Sequence, residues 1–179
     1  MFCKRMPDEM SILVQAKALK MDIMVVPLPS ACDNDAYVSA VTAAIQQLID
    51  AYRVNKDGTS ASQCTLVFGD LHLEDIRNWR EKSFGPGSSL GAQCSFPLFG
   101  VAYAELEAML FTQGGKGYAG GVGSIVVSSV PAGGKGQGVV QVGDKFDAGL
   151  IKRLQEGGTV DAFGERGEFH TEVLFEARK

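Results

Sequence analysis

The sequence predicts an α/β fold in which helices flank a parallel β-sheet. Short apolar runs alternate with segments whose apolar residues recur at helical spacing. The runs are apolar at consecutive positions, which is typical of strands buried on both faces. A length of 179 residues with 45% hydrophobic content suits one globular domain, so we expect a single domain over 1–179.

Five segments are predicted to be helices. Pro7 fits the first helical position of the first segment, and the side chain of Asn34 can cap the second. The third segment follows an apolar run directly and is rich in charged residues. The predicted helices are 6–20, 35–52, 71–84, 101–112 and 145–155.

Four apolar runs bounded by glycine, proline or polar residues are predicted to be strands. The first ends at Pro29, and the second stops at Gly69 and Asp70. The predicted strands are 21–28, 64–68, 124–130 and 168–175. Glycine is frequent from Gly114 to Gly143, so we expect this segment to be flexible.

Composition argues against several classes of partner. The net charge is -4 and the isoelectric point is about 5.2, so no basic excess favours nucleic acid or an anionic membrane. The apolar run 125–130 is far shorter than the roughly 20 residues that span a bilayer. The N-terminal residues lack the apolar region of a signal peptide, and the four cysteines form no CxxC pair. We therefore expect a cytoplasmic protein with free thiols.

The segment from Val160 to Val173 is the strongest candidate for a site. Glycine allows the tight turns and close backbone approach that a binding loop needs, and carboxylates around such a turn contribute little to a core. The segment places four titratable side chains around two glycines within nine residues: Gly164, Glu165, Gly167, Glu168, His170 and Glu172. His170 is either a general base or a histidine oriented by its neighbours, and the sequence leaves both open.

The segment from Val67 to Glu81 is the second candidate. Asp70 follows a buried strand and a glycine, where carboxylates of parallel sheets commonly meet a ligand or Mg²⁺. On a helix, however, Asp70, Glu74 and Arg77 share a face with Glu81, so a solvated face with i,i+4 ion pairs is the alternative interpretation.

Two glycine-rich motifs are weaker. The run from Gly115 to Gly120 matches G-x-G-x-x-G, but it precedes a predicted strand, whereas a dinucleotide site follows one. The run from Gly133 to Gly136 lacks the spacing and the Ser/Thr of a Walker A loop. We expect a plain loop at both.

Several segments resemble, in order, the diphthine–ammonia ligase family, the N-type ATP pyrophosphatases of the PP-loop superfamily. The block from Phe68 to Glu81 resembles the family's F-G-D-I-x-L-E-D-x-R, and Pro97-Leu98-Phe99 resembles its P-L-W. The segment from Val160 to Thr171 resembles its closing V-D-P-C-G-E-N-G-E-F-H-T. The resemblance extends over almost the whole chain.

This resemblance implies a Rossmann-like (adenine nucleotide alpha hydrolase-like) fold with a small C-terminal extension. It also implies a ligase of diphthamide biosynthesis. Members use ATP to adenylate the carboxylate of diphthine on translation elongation factor 2, and ammonia then displaces AMP. ATP, Mg²⁺, ammonia and the diphthine-modified elongation factor are thus the implied cofactors and partners.

The resemblance also implies site residues. Glu165, Glu168 and His170 are predicted to be catalytic and to line the pocket for the diphthine side chain. Further substrate-binding residues are predicted in both segments: Gly164, Gly167, Thr171, Arg77 and Arg80. The nucleotide side is predicted to comprise Gly69, Asp70, Glu74 and Asp75, with Asp70 as a ligand of Mg²⁺.

The sequence departs from the family pattern at three points. The PP-loop, S-G-G-K-D-S, does not occur, so we expect a chain that is truncated at its N-terminus relative to the family and lacks the first strand. Phe163 stands where the family has Cys. Arg166 stands where it has Asn, and its fork-shaped cation could pair with Glu165 or Glu168.

A second hypothesis follows from the missing PP-loop. The chain would be a non-catalytic remnant that keeps the fold and binds a partner, with oligomerisation through the sheet edge that the absent strand would expose. A PP-loop relative that acts on tRNA is disfavoured by the acidic charge.

Overall fold

The structure is a computed structural model that describes residues 9–54, 64–111 and 122–175. These residues form a mixed α/β fold with five helices and four strands. In chain order the elements are α1 (Glu9–Leu19), α2 (Asn34–Val54), β1 (Thr65–Val67), α3 (Glu74–Phe84), β2 (Gln93–Ser95), α4 (Tyr103–Leu110), β3 (Val122–Ser129), α5 (Ala148–Gly157) and β4 (His170–Phe175). The chain divides into two compact units, Met24–Gly100 and Met1–Ile23 with Val101–Lys179.

The unit 24–100 contains a small parallel sheet. Strands β1 and β2 pair from Thr65 with Gln93 to Val67 with Ser95, and α3 connects them. This β–α–β connection is the arrangement that parallel strands require. Helix α2 begins after Asp33, whose Oδ1 accepts a hydrogen bond from the backbone N–H of Ala36 at 2.8 Å.

Aromatic side chains form the interior of this unit. Phe68 stacks on Phe84 and Phe96, with ring centroids 6.2 and 5.3 Å apart. The ring of Trp79 meets Phe84 edge-on at 6.2 Å. Phe84 is 1% exposed, so it anchors the end of α3 under the sheet.

The other unit is built around β3. This strand pairs antiparallel with β4, from Val122 opposite Phe175 to Ser129 opposite His170. On its other side the backbone carbonyl of Ile125 accepts a hydrogen bond from the N–H of Phe146 at 2.8 Å. Strand β3 therefore has a partner on each edge, which makes it the centre of the unit.

The core of this unit lies between β3 and α5. Helix α5 is strongly amphipathic, with Leu150, Ile151 and Leu154 all buried. Asp147 caps its start by accepting a hydrogen bond from the N–H of Leu150 at 3.0 Å, and Gly158 ends it with φ of 63°. The remaining core residues are Phe111, Ile125, Val127, Val140, Phe146, Val160, Ala162 and Phe169.

The strands of the structure differ from the predicted strands in three respects. Residues 21–28 form neither helix nor strand, and Met21 and Val25 are 64% and 77% exposed. Strand β2 was not predicted, because it has only three residues and no long apolar run. Strands β3 and β4 pair antiparallel, whereas a parallel sheet was predicted; parallel pairing occurs only between β1 and β2 in the described residues.

No described helix combines the length and the apolar composition needed to cross a membrane. Of the glycine-rich segment, residues 122–143 include β3 and a hydrogen-bonded turn in which Gln137 Oε1 accepts from the N–H of Gly133 at 2.7 Å. Gly114 and the run from Gly115 to Gly120 lie outside the described residues.

Candidate functional site

The strongest candidate segment forms a closed loop between α5 and β4, residues 160–169. Glu168 lies inside this loop and is 4% exposed. Its Oε1 accepts a hydrogen bond from the backbone N–H of Asp161 at 3.1 Å, and its Oε2 accepts one from the N–H of Arg166 at 3.0 Å. One carboxylate therefore joins the start of the loop to its middle. These two hydrogen bonds compensate for the removal of the carboxylate from water.

Asp161 organises the same loop from the opposite side. Its Oδ1 accepts from the backbone N–H of Phe163 at 2.9 Å and, more weakly, from that of Glu165 at 3.4 Å. Its Oδ2 accepts from the hydroxyl of Tyr103 at 2.7 Å. Two carboxylates thus bind four backbone amides, and the loop has a fixed shape.

The two glycines of the motif occupy positions that require glycine. Gly164 and Gly167 have φ of 70° and 78°, in the left-handed region that other residues rarely adopt. A Cβ at Gly164 would also lie 2.9 Å from the carbonyl oxygen of Phe169. A side chain at Gly136 would collide with the carbonyl oxygen of Glu168, so the glycine-rich turn packs directly beneath the loop.

Tyr103 and Phe163 form an aromatic corner beside the loop. Their ring centroids are 4.8 Å apart, and the ring planes meet at 61°, as in an edge-to-face contact. Both side chains are partly exposed. Burial raises the pKa of Tyr103, and the hydrogen bond to Asp161 and the charges of Asp161 and Glu165 raise it further. Tyr103 is therefore a neutral hydrogen-bond donor at physiological pH.

Other polar side chains of this segment lie at or near the protein surface. Arg166, His170 and Thr171 are exposed, and Glu165 is half-buried. The backbone carbonyl of His170 accepts a hydrogen bond from Ser128 Oγ at 3.2 Å, which fixes the start of β4. This surface offers a carboxylate, a guanidinium, an imidazole and a hydroxyl along one short stretch of chain.

Glu168 therefore differs from its predicted role. A 4% exposed carboxylate whose two oxygens accept backbone hydrogen bonds does not line an open pocket. Its position gives it a structural function in the loop. Glu165 and His170 retain positions from which they could contact a ligand.

The second candidate segment lies in the unit 24–100. The Asp70 carboxylate meets the Arg80 guanidinium, with Oδ2 2.7 Å from Nε and Oδ1 3.2 Å from Nη2. The Nε–H points poorly at Oδ2, so this closest contact is an ion pair without a well-formed hydrogen bond. The two side chains are only 11% and 24% exposed, which strengthens their attraction.

Both predicted substrate-binding arginines are engaged with aromatic rings. The guanidinium carbon of Arg80 lies 4.6 Å from the ring centroid of Phe68, and that of Arg77 lies 4.8 Å from that of Phe99. Arg77 also forms an ion pair with Glu81 at 3.3 Å. These contacts match the interpretation of i,i+4 pairing, with cation–π stacking in addition.

The nucleotide side does not fit Mg²⁺ in this arrangement. Arg80 contacts both carboxylate oxygens of Asp70, and its positive charge opposes the binding of a cation there. Glu74 and Asp75 are exposed in the first turn of α3, and Gly69 is exposed beside Asp70. Among the described residues, no three His, Cys, Asp or Glu side chains are grouped closely enough to hold a metal ion.

The structure places the predicted site residues in two groups. Gly164, Glu165, Gly167, Glu168, His170 and Thr171 form one continuous loop and strand start in the unit that contains β3. Gly69, Asp70, Glu74, Asp75, Arg77 and Arg80 belong to the unit 24–100.

Two residues that hold the first group in place were not among the predicted site residues, Asp161 and Tyr103. Asp161 lies near the start of the candidate segment, and an Asp before a glycine turn is a signal for backbone capping that could have identified it. Tyr103 lies 58 positions from Asp161, and no sequence pattern connects them.

Comparisons of this chain with protein-family models, with curated proteins and with solved structures found no match.

Proposed function

We propose that this chain is a ligase domain of the diphthine–ammonia ligase type, with a Rossmann-like fold. It would contribute to ATP-dependent amidation of diphthine to diphthamide on translation elongation factor 2. A carboxylate does not react with ammonia directly, because hydroxide is a poor leaving group. Adenylation forms a mixed anhydride with release of pyrophosphate, and ammonia then attacks the carbonyl carbon and expels AMP.

The observation that carries the proposal is the closed loop 160–169. Four motif residues have a structural reason there: Gly164 and Gly167 supply positive φ, Glu168 binds two backbone amides, and Phe169 is buried. The loop geometry therefore supports the resemblance from which the proposal comes.

The outward side of the loop is the proposed contact surface for the diphthine side chain. Diphthine carries a trimethylammonium group, which carboxylates and aromatic faces both attract. Glu165 is half-buried, and its charge raises the pKa of Tyr103, so it lies within electrostatic range of the phenol. We assign the ammonium contact to Glu165 beside Tyr103, with His170 and Thr171 toward the reacting carboxylate.

The test is a reconstituted amidation. The chain is incubated with ATP, an ammonium salt and diphthine-bearing elongation factor 2, with Mg²⁺ in the buffer, and product is followed by mass spectrometry of the modified peptide. We expect amide and AMP in equal amounts. Glu165→Gln should weaken binding of the modified factor about tenfold, as expected for loss of one partly buried charge contact. Glu156→Gln, at an exposed position on α5, is the matched control.

A second candidate function is a non-catalytic binding module. It is favoured by the pairing of Asp70 with Arg80. Val67 on β1 is 67% exposed, and an apolar strand edge of this kind can pair with another chain. Calorimetric titration with ATP separates the two functions, because a ligase domain must bind ATP and a binding module need not.

A further inference from the structure

The unit 24–100 contains a cavity of about 790 Å³ between α2, α3 and the loop that follows α3. This volume lies within the range of small-molecule sites. None of the predicted site residues lines it. Trp79 is the one lining residue that belongs to a candidate segment, and no function was predicted for it. The ligand of the cavity does not depend on the proposed ligase activity.

Small side chains on one face of α2 keep the cavity open. Ser39 and Thr42 lie on this face, one helical turn apart, and Ala43 lies beside them. Thr42 Oγ1 is buried and has no hydrogen-bond partner among the described residues. A hydroxyl withdrawn from water without a partner is unfavourable. Because this oxygen is inaccessible to water, it lies behind the surface that a ligand would touch.

The cavity is lined by one acid and one base. Asp35 comes from the first turn of α2, and Lys82 comes from the last turn of α3. Neither forms an ion pair with any residue that the structure describes. Capping of α2 is performed by Asp33, so Asp35 is not needed for it. Opposite charges that line one cavity without pairing match a ligand that carries both an ammonium and a carboxylate.

Trp79 supplies a flat apolar surface. Its ring contacts Tyr37 at 6.0 Å and Phe84 at 6.2 Å between centroids, which fixes its orientation while it lines the cavity. An aromatic ring on a ligand can stack against such a surface. A phosphorylated ligand fits less well, because the acid and the base among the lining residues leave no net positive charge.

We propose that this cavity binds a small zwitterion with an aromatic ring, of the chemical class of an aromatic amino acid. The ring stacks on Trp79, the ammonium faces Asp35, and the carboxylate faces Lys82.

The chain offers a direct readout, because Trp79 is its single tryptophan. L-Phenylalanine is titrated while the emission of Trp79 is recorded. Three probes each lack one feature: phenethylamine lacks the carboxylate, 3-phenylpropionate lacks the ammonium, and L-alanine lacks the ring. We expect L-phenylalanine to give a saturable change with a Kd on the order of 1 mM, and each incomplete probe to bind about tenfold more weakly.

Matched variants assign each contact. Lys82→Met should remove the preference for L-phenylalanine over phenethylamine and leave its preference over 3-phenylpropionate. Asp35→Asn should remove the preference for L-phenylalanine over 3-phenylpropionate and leave its preference over phenethylamine. Thr42→Val is the control: it removes a buried hydroxyl that has no partner among the described residues, so it should raise the Tm of the ligand-free chain and leave the order of the probes unchanged.

The proposal is overturned if L-phenylalanine gives no saturable change up to roughly twenty times the expected Kd, or if both charge variants keep the wild-type order of probes. A saturable response to AMP that exceeds the response to L-phenylalanine would also overturn the zwitterion assignment. None of these results depends on amidation, so failure here and failure of the ligase assay are distinguishable.

Discussion

The hydroxyl of Tyr103 donates a hydrogen bond to Oδ2 of Asp161 at 2.7 Å, although 58 positions separate them. Tyr103 begins α4, and Asp161 binds the backbone of the loop 160–169. This contact joins a helix to the loop that carries the proposed site, and the loop's conformation therefore depends on a residue outside the motif.

Replacement of Tyr103 by Phe should destabilise the protein. The change removes one hydrogen bond to a carboxylate and keeps the ring against Phe163, so we expect a loss of about 1–2 kcal/mol in the free energy of unfolding. Urea denaturation measures it. Tyr37→Phe is the control, since it changes the same functional group outside this network. Equal stability of the two variants would contradict the assigned role.

Stability should also fall at alkaline pH because of Tyr103. Its pKa is raised in the folded state, so the folded chain keeps a proton that the unfolded chain releases above its usual pKa of about 10. The contribution is complete below that value and is lost as pH rises toward the folded pKa. Denaturation of wild type and Tyr103→Phe over roughly pH 9–11 should give a steeper decline for wild type; parallel curves would exclude this effect.

Glu168 and Glu165 should respond differently to the same change. In Glu168→Gln the new amide group faces a backbone N–H with which it cannot pair, so we expect a loss of about 2–3 kcal/mol in stability. Glu165→Gln should cost less than Glu168→Gln, because the side chain of Glu165 is only half-buried. Thermal and urea unfolding test this. Comparable losses in both variants would show that Glu168 does not hold the loop.

The two motif glycines provide a second matched pair. Alanine at Gly167 meets only the backbone strain of positive φ, which costs about 1–2 kcal/mol, since nothing lies within 4 Å of its Cβ. Alanine at Gly164 meets the same strain and also approaches Phe169, at 2.9 Å from its carbonyl oxygen. We expect Gly164→Ala to be the less stable by about 1 kcal/mol or more. The opposite order in urea unfolding would contradict the loop geometry.

The pair of Asp70 and Arg80 should behave as a structural contact. Asp70→Asn leaves a largely buried guanidinium without its counter-ion, so we expect a loss of about 2 kcal/mol in stability. Because Arg80 occupies the carboxylate, Mg²⁺ should not raise the Tm of the wild type. A clear increase in Tm with Mg²⁺ that disappears in Asp70→Asn would contradict this interpretation. It would support the prediction that Asp70 is a ligand of Mg²⁺.

Local signals explain which elements could be predicted. All five helices of the described residues were predicted, because helix formation depends mainly on residues that are close in the sequence. Their ends differ by a few residues where a cap decides: α5 begins at Ala148 because Asp147 caps it, and the predicted start was 145. The direction of strand pairing depends on distant partners, so the antiparallel pairing of β3 with β4 was not predicted.

The same distinction applies to the candidate site. The motif glycines were identified from sequence because the need for positive φ is local to each residue. The role of Glu168 was not identified, because the sequence does not show whether an acidic side chain in a loop faces solvent or binds backbone amides. The partners of Asp70 and Arg77 likewise depend on packing against Arg80 and Phe99.

Gly136 has a consequence for genetics. Its missing side chain leaves room for the backbone of Glu168, and any larger residue there would displace that backbone. In a mutational screen, substitutions in the turn around Gly136 should therefore give the same phenotype as substitutions in the loop 160–169. The two stretches are nevertheless far apart in the gene. Second-site suppressors of one should be sought in the other.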